Sequence, residues 1–226
     1  MLSCLLALAL VASPTQSFAA QTGVGSAGKV VNQVSGALQS KVRKIALKDE
    51  VHNNEKISTG SESATEIVFK DETTLTIGPD SDVTLDNFVY KPGPVSGSLI
   101  VTMSKGVMRF ATGKLSKTSY LVKTPTATIG IRGTIFTVHV AANGATTVTV
   151  QAGAVSVSNA VGVTQSVGVG QSTSVAPAPA GGSAPPPSPP STPPPQAQAA
   201  VSSMNNTIAG IPSGAAGGGA AGLGGL

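Results

Sequence analysis

The sequence lacks most of the residues on which enzymes and nucleic-acid-binding proteins rely. It has no tryptophan and one cysteine, and charged residues make up 11% of its 226 positions. The cysteine, Cys4, lies in an N-terminal segment that we expect to be removed, so the remaining chain has no disulfide, thiol chemistry or zinc–thiolate site. Two Tyr and five Phe offer little surface for base stacking, so no nucleic-acid partner is expected.

Charges of one sign are missing from most of the chain. All ten acidic residues lie between Asp49 and Asp86, and no carboxylate side chain follows. Lysine and arginine residues continue beyond that point. Four of them are candidates for a basic surface that binds an anionic envelope polymer: Lys105, Arg109, Lys114 and Lys117. The other interpretation is that the acidic and basic halves fold against each other, so that opposite charges meet across strands.

The N-terminus has the pattern of an export signal, which we assign to residues 1–19. Residues 5–12 form an apolar run that is too short to span a bilayer. Small residues in Ser17-Phe18-Ala19 suit a signal peptidase, so we predict cleavage after Ala19 and a periplasmic or secreted protein. Residues 20–28 then read as a flexible lead-in. No later run is long and apolar enough for a membrane span.

Residues 29–175 read as a succession of short strands. Alternating apolar and polar residues recur between turn signals that are eight to twelve residues apart, and Asn143-Gly144 is the strongest hairpin signal among them. No convincing helix interrupts this pattern. It predicts an all-β fold with many short strands in a curved sandwich or an irregular β-solenoid.

At Ala176 the composition changes, and residues 176–226 have no charged residue. Residues 176–199 are rich in proline and are expected to sample polyproline II, and the end of the chain is almost entirely Gly and Ala. We therefore predict a disordered tail after the β-domain. An alternative is that the tail is a spacer that reaches across the cell wall or to the cell surface.

Residues with catalytic or metal-binding chemistry are few and scattered. The two histidines, His52 and His139, have no nucleophile motif beside them. The segment Asp80-Ser81-Asp82 resembles a calcium loop, but Leu85 stands where the turn glycine is needed and no closing Glu follows. We predict no catalytic, cofactor-binding or metal-binding residue and no enzymatic activity.

One stretch, residues 124–136 (TPTATIGIRGTIF), stands out because glycines and an arginine interrupt an apolar strand. It resembles the Thr-Pro-x-Ala-x-x-Gly-x-Arg-Gly-Thr-x-Phe hallmark of the FecR-domain family, and the similarity extends over about residues 30–175. The residues that carry this motif, for which we expect structural roles, are Thr124, Pro125, Gly130, Arg132, Gly133, Thr134 and Phe136.

The resemblance implies an all-β periplasmic domain, and the export signal distinguishes the chain from the family's membrane-anchored anti-sigma regulators. We therefore expect an interaction module that binds an envelope protein or glycan, with a structural scaffold as the alternative. Its oligomeric state is left open. Arg132 lies in a strand that we expect to be covered, so it needs a buried carboxylate partner, for which Glu66, Asp71 and Asp82 are the candidates.

Overall fold

A computed structural model describes residues 23–91 and 96–210, so the predicted signal, residues 1–19, lies outside the described part. The described residues form 16 strands and one helix. In chain order these elements are β1 (Gly25–Val31), β2 (Val34–Leu38), β3 (Lys41–Lys44), β4 (Glu50–Val51), β5 (Glu55–Thr59), β6 (Ala64–Phe69), β7 (Thr74–Ile77), β8 (Asp82–Lys91), β9 (Ser96–Ala111), β10 (Tyr120–Lys123), β11 (Ala127–Ile131), β12 (Ile135–Val140), β13 (Thr146–Ala152), β14 (Val155–Asn159), β15 (Thr164–Val167), β16 (Ser172–Val175) and α1 (Pro195–Ala209).

Hydrogen bonds join all 16 strands into one open sheet, which folds over so that two layers face each other. Layer A has the strand order β4-β1-β6-β7-β9-β12-β13-β16, and layer B has the order β3-β2-β5-β8-β9-β10-β11-β14-β15. Aromatic rings meet between the layers: Phe69 of layer A lies 5.3 Å from Phe88 of layer B, measured between ring centroids. The fold is the predicted all-β architecture.

Strand order within each layer follows the sequence closely, because the chain adds strands first to one layer and then to the other. The molecule therefore grows along one axis, as a solenoid does, while its two layers enclose one core, as a sandwich does. Neighbouring strands are antiparallel except for β9 and β10, which run parallel. Strands β3 and β15 consequently form the two opposite edges of layer B.

Strand β9 belongs to both layers and connects them. Its first half pairs with β8 and β10 in layer B, and its second half pairs with β7 and β12 in layer A. The bend falls at Gly106, whose φ is +96° and where a Cβ would lie 2.5 Å from the Cα of Ser81. Only glycine fits this conformation and this close approach. Ser81 Oγ accepts a hydrogen bond from Val107 N (2.9 Å) beside the bend.

The core is built from small apolar side chains that alternate along the strands. In β12, Phe136, Val138 and Val140 are buried, and in β14, Val155 and Val157 are buried. Because each of these side chains removes little apolar surface from water, many strands contribute to a single core. Thr and Ser occupy most of the outward positions, which suits strands with one solvated face.

We predicted a flexible lead-in over residues 20–28, but strand β1 begins within this segment, at Gly25. Ala27 is fully buried and pairs with Ile67 of β6. A Cβ on Gly25 would lie 2.5 Å from the carbonyl oxygen of Val68, so the small residues allow close backbone packing. The small residues that suggested flexibility instead allow β1 and β6 to pair closely.

The predicted disordered tail is ordered in its first part, residues 176–210, while residues 211–226 lie outside the described part. Helix α1 crosses the outer face of layer A and contacts β9, β12, β6 and β1. Ala197 and Met204 are buried on its inner side, at the spacing of two helical turns. Apolar side chains at this spacing give the uncharged helix a face that packs on the sheet.

The proline-rich segment before α1 pairs with the outer side of β16, so it does not extend away from the domain. Ser172 and Ser191 form an antiparallel bridge, and Thr173 Oγ1 donates a hydrogen bond to the carbonyl oxygen of Ser188 (2.6 Å). Across the same end of the molecule, the Asn159 side-chain amide donates to the carbonyl oxygens of Ala184 and Pro185. Proline carbonyls accept hydrogen bonds while the ring brings no N–H that needs a partner.

Candidate functional site

The motif around β11 begins with a turn that Thr124 closes. Its hydroxyl accepts a hydrogen bond from Ala127 N (3.0 Å) and also from Thr146 Oγ1 (2.8 Å) of β13. Pro125 lies exposed at the tip of this turn. The Thr-Pro pair thus fixes where β11 begins and connects layer B to layer A.

The second half of the motif holds two turns against each other. Gly133 has a φ of +70°. A Cβ on the neighbouring Gly153 would lie 2.2 Å from the carbonyl oxygen of Gly133. Thr134 is buried, and its hydroxyl donates to the carbonyl oxygen of Ala154 (2.8 Å). Phe136 then stacks on Phe110, with 5.5 Å between the ring centroids. These contacts explain the motif residues other than Arg132 by their packing or by the turns that they form.

Arg132 does not lie where we predicted it. Its side chain is exposed, because Ile129 and Ile131 turn into the core and alternation directs Gly130 and Arg132 outward. All ten carboxylate side chains lie within the described residues, and none is within 4.0 Å of Arg132. The expectation of a buried ion pair is therefore wrong. The alternation of Ile129 and Ile131 was the sequence signal that could have predicted an outward direction for the Arg132 side chain.

The three carboxylates predicted as partners are occupied or distant. Asp71 accepts hydrogen bonds from Tyr120 Oη (2.9 Å) and Thr73 Oγ1 (2.6 Å), and Glu66 lies on β6 in layer A. Asp82 Oδ2 lies 3.1 Å from the Lys56 ammonium group. Arg132 is left as an exposed cation at the C-terminal end of β11.

Beside Arg132, a groove of about 480 Å³ runs over the outer face of layer B. We call it the Arg132 groove, and its lining includes Ser98, Ile100, Leu121, Gly130, Arg132 and Ser156. A Cβ on Gly130 would lie 2.8 Å from Ser156 Oγ, so the missing side chain helps to keep the groove open. Hydroxyl groups, two apolar side chains and a single guanidinium group can together bind an anionic, partly apolar ligand.

The four predicted basic-surface residues are divided between different parts of the molecule. Lys105 lies at the bend of β9, Arg109 on the outer side of layer A, and Lys114 and Lys117 in the β9–β10 connection. Lys114 pairs with Glu72, and Lys105 Nζ lies 3.9 Å from Asp82 Oδ2. Arg109 Nε donates to Gln151 Oε1 (3.1 Å). For Lys105 and Lys114, this geometry favours the interpretation that acidic and basic residues face each other.

Two of these pairs change the pKa of their members. Burial raises the pKa of the Asp82 carboxyl, but the hydrogen bond from Ser58 and the Lys56 and Lys105 ammonium groups outweigh burial and lower it. The hydrogen bond and charge of Glu72 raise the pKa of Lys114. Both shifts favour the charged forms, which are already present near neutral pH.

Two polar clusters were not predicted from the sequence. At the N-terminal end, the fully buried Glu55 carboxylate lies 2.9 Å from Arg43 Nη2 and 3.3 Å from His52 Nδ1. In the core, burial and the adjacent Asp71 carboxylate raise the pKa of Tyr120 to about 12, although a hydrogen bond with Thr73 opposes this. Asp71 and Tyr120 are far apart in the sequence, and Arg43 and Glu55 come from strands β3 and β5, which are separated by β2 in the sheet, so the fold brings the members of each cluster together.

The described ranges contain no group of three or more His, Cys, Asp or Glu side chains that could hold a metal ion. They also include no helix with the length and hydropathy that crossing a membrane requires. His139 lies half-buried on the outer side of β12, where burial lowers its pKa.

Comparison with known proteins agrees with these features. The family model for the FecR protein matches residues 55–156, which extend from β5 into β14 and include the motif and the Arg132 groove. The chain is therefore similar to the FecR family over a little under half of its sequence. A search of curated proteins gives no significant match.

Among solved structures, the chain is similar to a candidate anti-sigma factor from Parabacteroides distasonis ATCC 8503, known from crystal structures at 1.65 Å and 2.50 Å resolution. Each comparison has a TM-score of 0.43 and 18% sequence identity, and it covers 54% of this chain and 54% of the other. The similarity thus spans about half of that protein.

Proposed function

We propose that the protein is a non-enzymatic interaction module, periplasmic or secreted, that binds an anionic group of an envelope protein or glycan through the Arg132 groove. The observation that carries this proposal is an exposed guanidinium group with no carboxylate partner beside a groove lined by hydroxyl groups. A charge that is not needed for an internal ion pair is available for a ligand.

The outer face of layer B supports this assignment by its chemistry. Thr128 and Ser156 point to solvent beside the groove, and the partly exposed Ile100 and Leu121 offer apolar contacts. Such a surface resembles the polar, arginine-containing patches that proteins use for partners. The alternative role as a scaffold has less support, because the proline-rich segment up to Pro194 packs on its own domain.

The test is photocrosslinking in intact cells from a photoreactive residue at position 128, next to the groove. We expect a captured partner that disappears when Arg132→Glu is added. Lys41→Ala, which also removes one exposed cation but at the opposite end of layer B, should leave the capture unchanged. The free energy of unfolding of Arg132→Glu should change by less than about 1 kcal/mol, because the side chain is exposed.

A second measurement separates a glycan from a protein partner. Retention of the purified protein on anionic envelope polymers should weaken with salt, because exposed charges are screened beyond about 10 Å at 0.1 M ionic strength. Capture and retention that both survive Arg132→Glu would show that the groove is not the binding site.

A further inference from the structure

The outer edges of the two layers are protected unequally. Edge strand β3 carries Lys41, Arg43 and Lys44, and charges on an edge discourage pairing with another strand. The edge of β16 is covered by the proline-rich segment. Strand β15, at the end of layer B, has neither protection: no described strand pairs with its outer side, and no Asp, Glu, Lys or Arg follows Arg132 in the sequence.

Exposed apolar residues are concentrated beside this edge. Val161, Val163 and Val169 are 62%, 47% and 63% exposed, and they flank β15 on both sides. An open, uncharged edge with apolar neighbours is a template for adding a strand. This segment lies outside residues 55–156, so the FecR match does not account for it.

The sequence of this segment is symmetric. Residues 161–169 read VGVTQSVGV, which is the same in both directions around Gln165 except that Thr164 faces Ser166. Two copies that pair antiparallel about Gln165 therefore place valine opposite valine, glycine opposite glycine and hydroxyl opposite hydroxyl. Such self-complementarity is what a two-fold interface requires.

The hydrogen-bonding phase of β15 agrees with this register. Asn159 N donates to the carbonyl oxygen of Val163 (3.0 Å), and the ladder pairs Val157 with Gln165. Because hydrogen-bonded pairs alternate in antiparallel strands, Thr164 and Ser166 direct their backbone groups away from β14. In the symmetric register these are the two residues that face each other, so their backbone groups can exchange hydrogen bonds.

We propose that two copies of this chain associate through β15, paired antiparallel about Gln165, so that layer B continues from one copy into the other. The side chain of Gln165 now donates to the carbonyl oxygen of Ser166 (3.1 Å) and is released when that oxygen accepts a strand bond. Val163 of each copy then packs against the buried Val167 of the other. Because the edge has no charge, two identical edges can approach without repulsion. For the same reason, the edge cannot select a different partner strand through ion pairs.

The association is tested by sedimentation equilibrium of the full chain carrying Cys4→Ser. We expect a concentration-dependent dimer whose dissociation constant rises by at least about tenfold in the double variant Thr164→Lys, Ser166→Lys, because like charges then face each other. The double variant Thr164→Glu, Ser166→Lys faces opposite charges in the same register and should restore the dimer. Ser40→Lys with Ser61→Lys adds the same charge at exposed positions in the N-terminal half, away from β15, and should have no effect.

The register is tested by a cysteine at the symmetry axis. Gln165 faces itself as a non-hydrogen-bonded pair, where Cα atoms are about 4.5 Å apart, within disulfide range. Gln165→Cys should form a disulfide-linked dimer under mild oxidation, and Ser40→Cys, at an exposed position by the opposite edge of layer B, should not. A chain that stays monomeric up to about 1 mM overturns the proposal, as does a dimer that the lysine variants leave intact. A monomer that instead binds a foreign peptide through β15 overturns it in favour of that partner.

Discussion

The two ends of the sandwich use different chemistry to complete the same fold. At the N-terminal end, Arg43, Glu55 and His52 form an ionic cluster around a fully buried carboxylate. At the C-terminal end, where no charged residue follows Arg132, the Asn159 amide and the hydroxyl groups of β16 bind carbonyl oxygens of the proline-rich segment. A sheet end can thus be completed by ion pairs or by neutral hydrogen bonds with a proline-rich segment.

The difference matters for how each end responds to change. An ionic cluster loses much when one partner is removed, because the remaining charge is poorly solvated. Neutral hydrogen bonds are individually worth about 1 kcal/mol, so the C-terminal end depends on many contacts together. The following predictions measure this contrast.

The largest effect is expected for Arg43→Met. This change keeps most of the side-chain stem but leaves the fully buried Glu55 carboxylate without its guanidinium partner, so the free energy of unfolding should fall by about 3 kcal/mol. Chemical denaturation measures it. Lys114→Ala, which removes an exposed ion pair with Glu72, is the control and should leave the unfolding transition in place. Equal effects of the two variants would contradict the buried cluster.

An intermediate effect is expected for Met204→Ala in α1. Met204 is fully buried against layer A, and its truncation should lower the free energy of unfolding by about 2 kcal/mol. Asn205→Ala, at the next and exposed helical position, is the matched control. Ending the chain at Val175 should destabilise it further, because the helix and the cover of β16 are both lost. A thermal midpoint unchanged by this truncation would mean that the segment does not pack.

The smallest effect concerns pH, because His139 is the one titratable side chain in the sequence after Arg132. Burial lowers its pKa in the folded protein, so the unfolded chain binds the proton first as the pH falls below about 6.5. The stability that neutral His139 contributes is therefore present above this pH and decreases until its folded pKa is passed. His139→Gln should reduce this loss in denaturation curves between pH 7 and pH 5, and an unchanged loss would contradict the role of His139.

Much of the strand pattern was predictable from local sequence. The Asn143-Gly144 signal marks the β12–β13 hairpin, where Gly144 has a φ of +85° and its N donates to the carbonyl oxygen of Ala141. Alternation and turn residues act over a few positions, so one sequence is enough to recognise them.

The position of Arg132 and the course of the proline-rich segment were not predictable in this way. Arg132 was expected to be covered because its strand is central in layer B, but its direction depends on which face of that strand meets layer A. The proline-rich composition led us to predict a disordered tail, and it did not reveal that β16 would offer the segment an edge to pair with.

The sequence by itself determined the all-β class, the hairpin turns and the uneven charge, because each depends on local propensity or on residue counts. Only the tertiary structure decided which strands share a layer. The reversal after Gln151 leads into β14, which pairs with β11 and β15 in the opposite layer and not with β13. Contacts between residues far apart in sequence made that choice, as they did in placing Glu55 beside Arg43 and leaving Arg132 at the edge of an open groove.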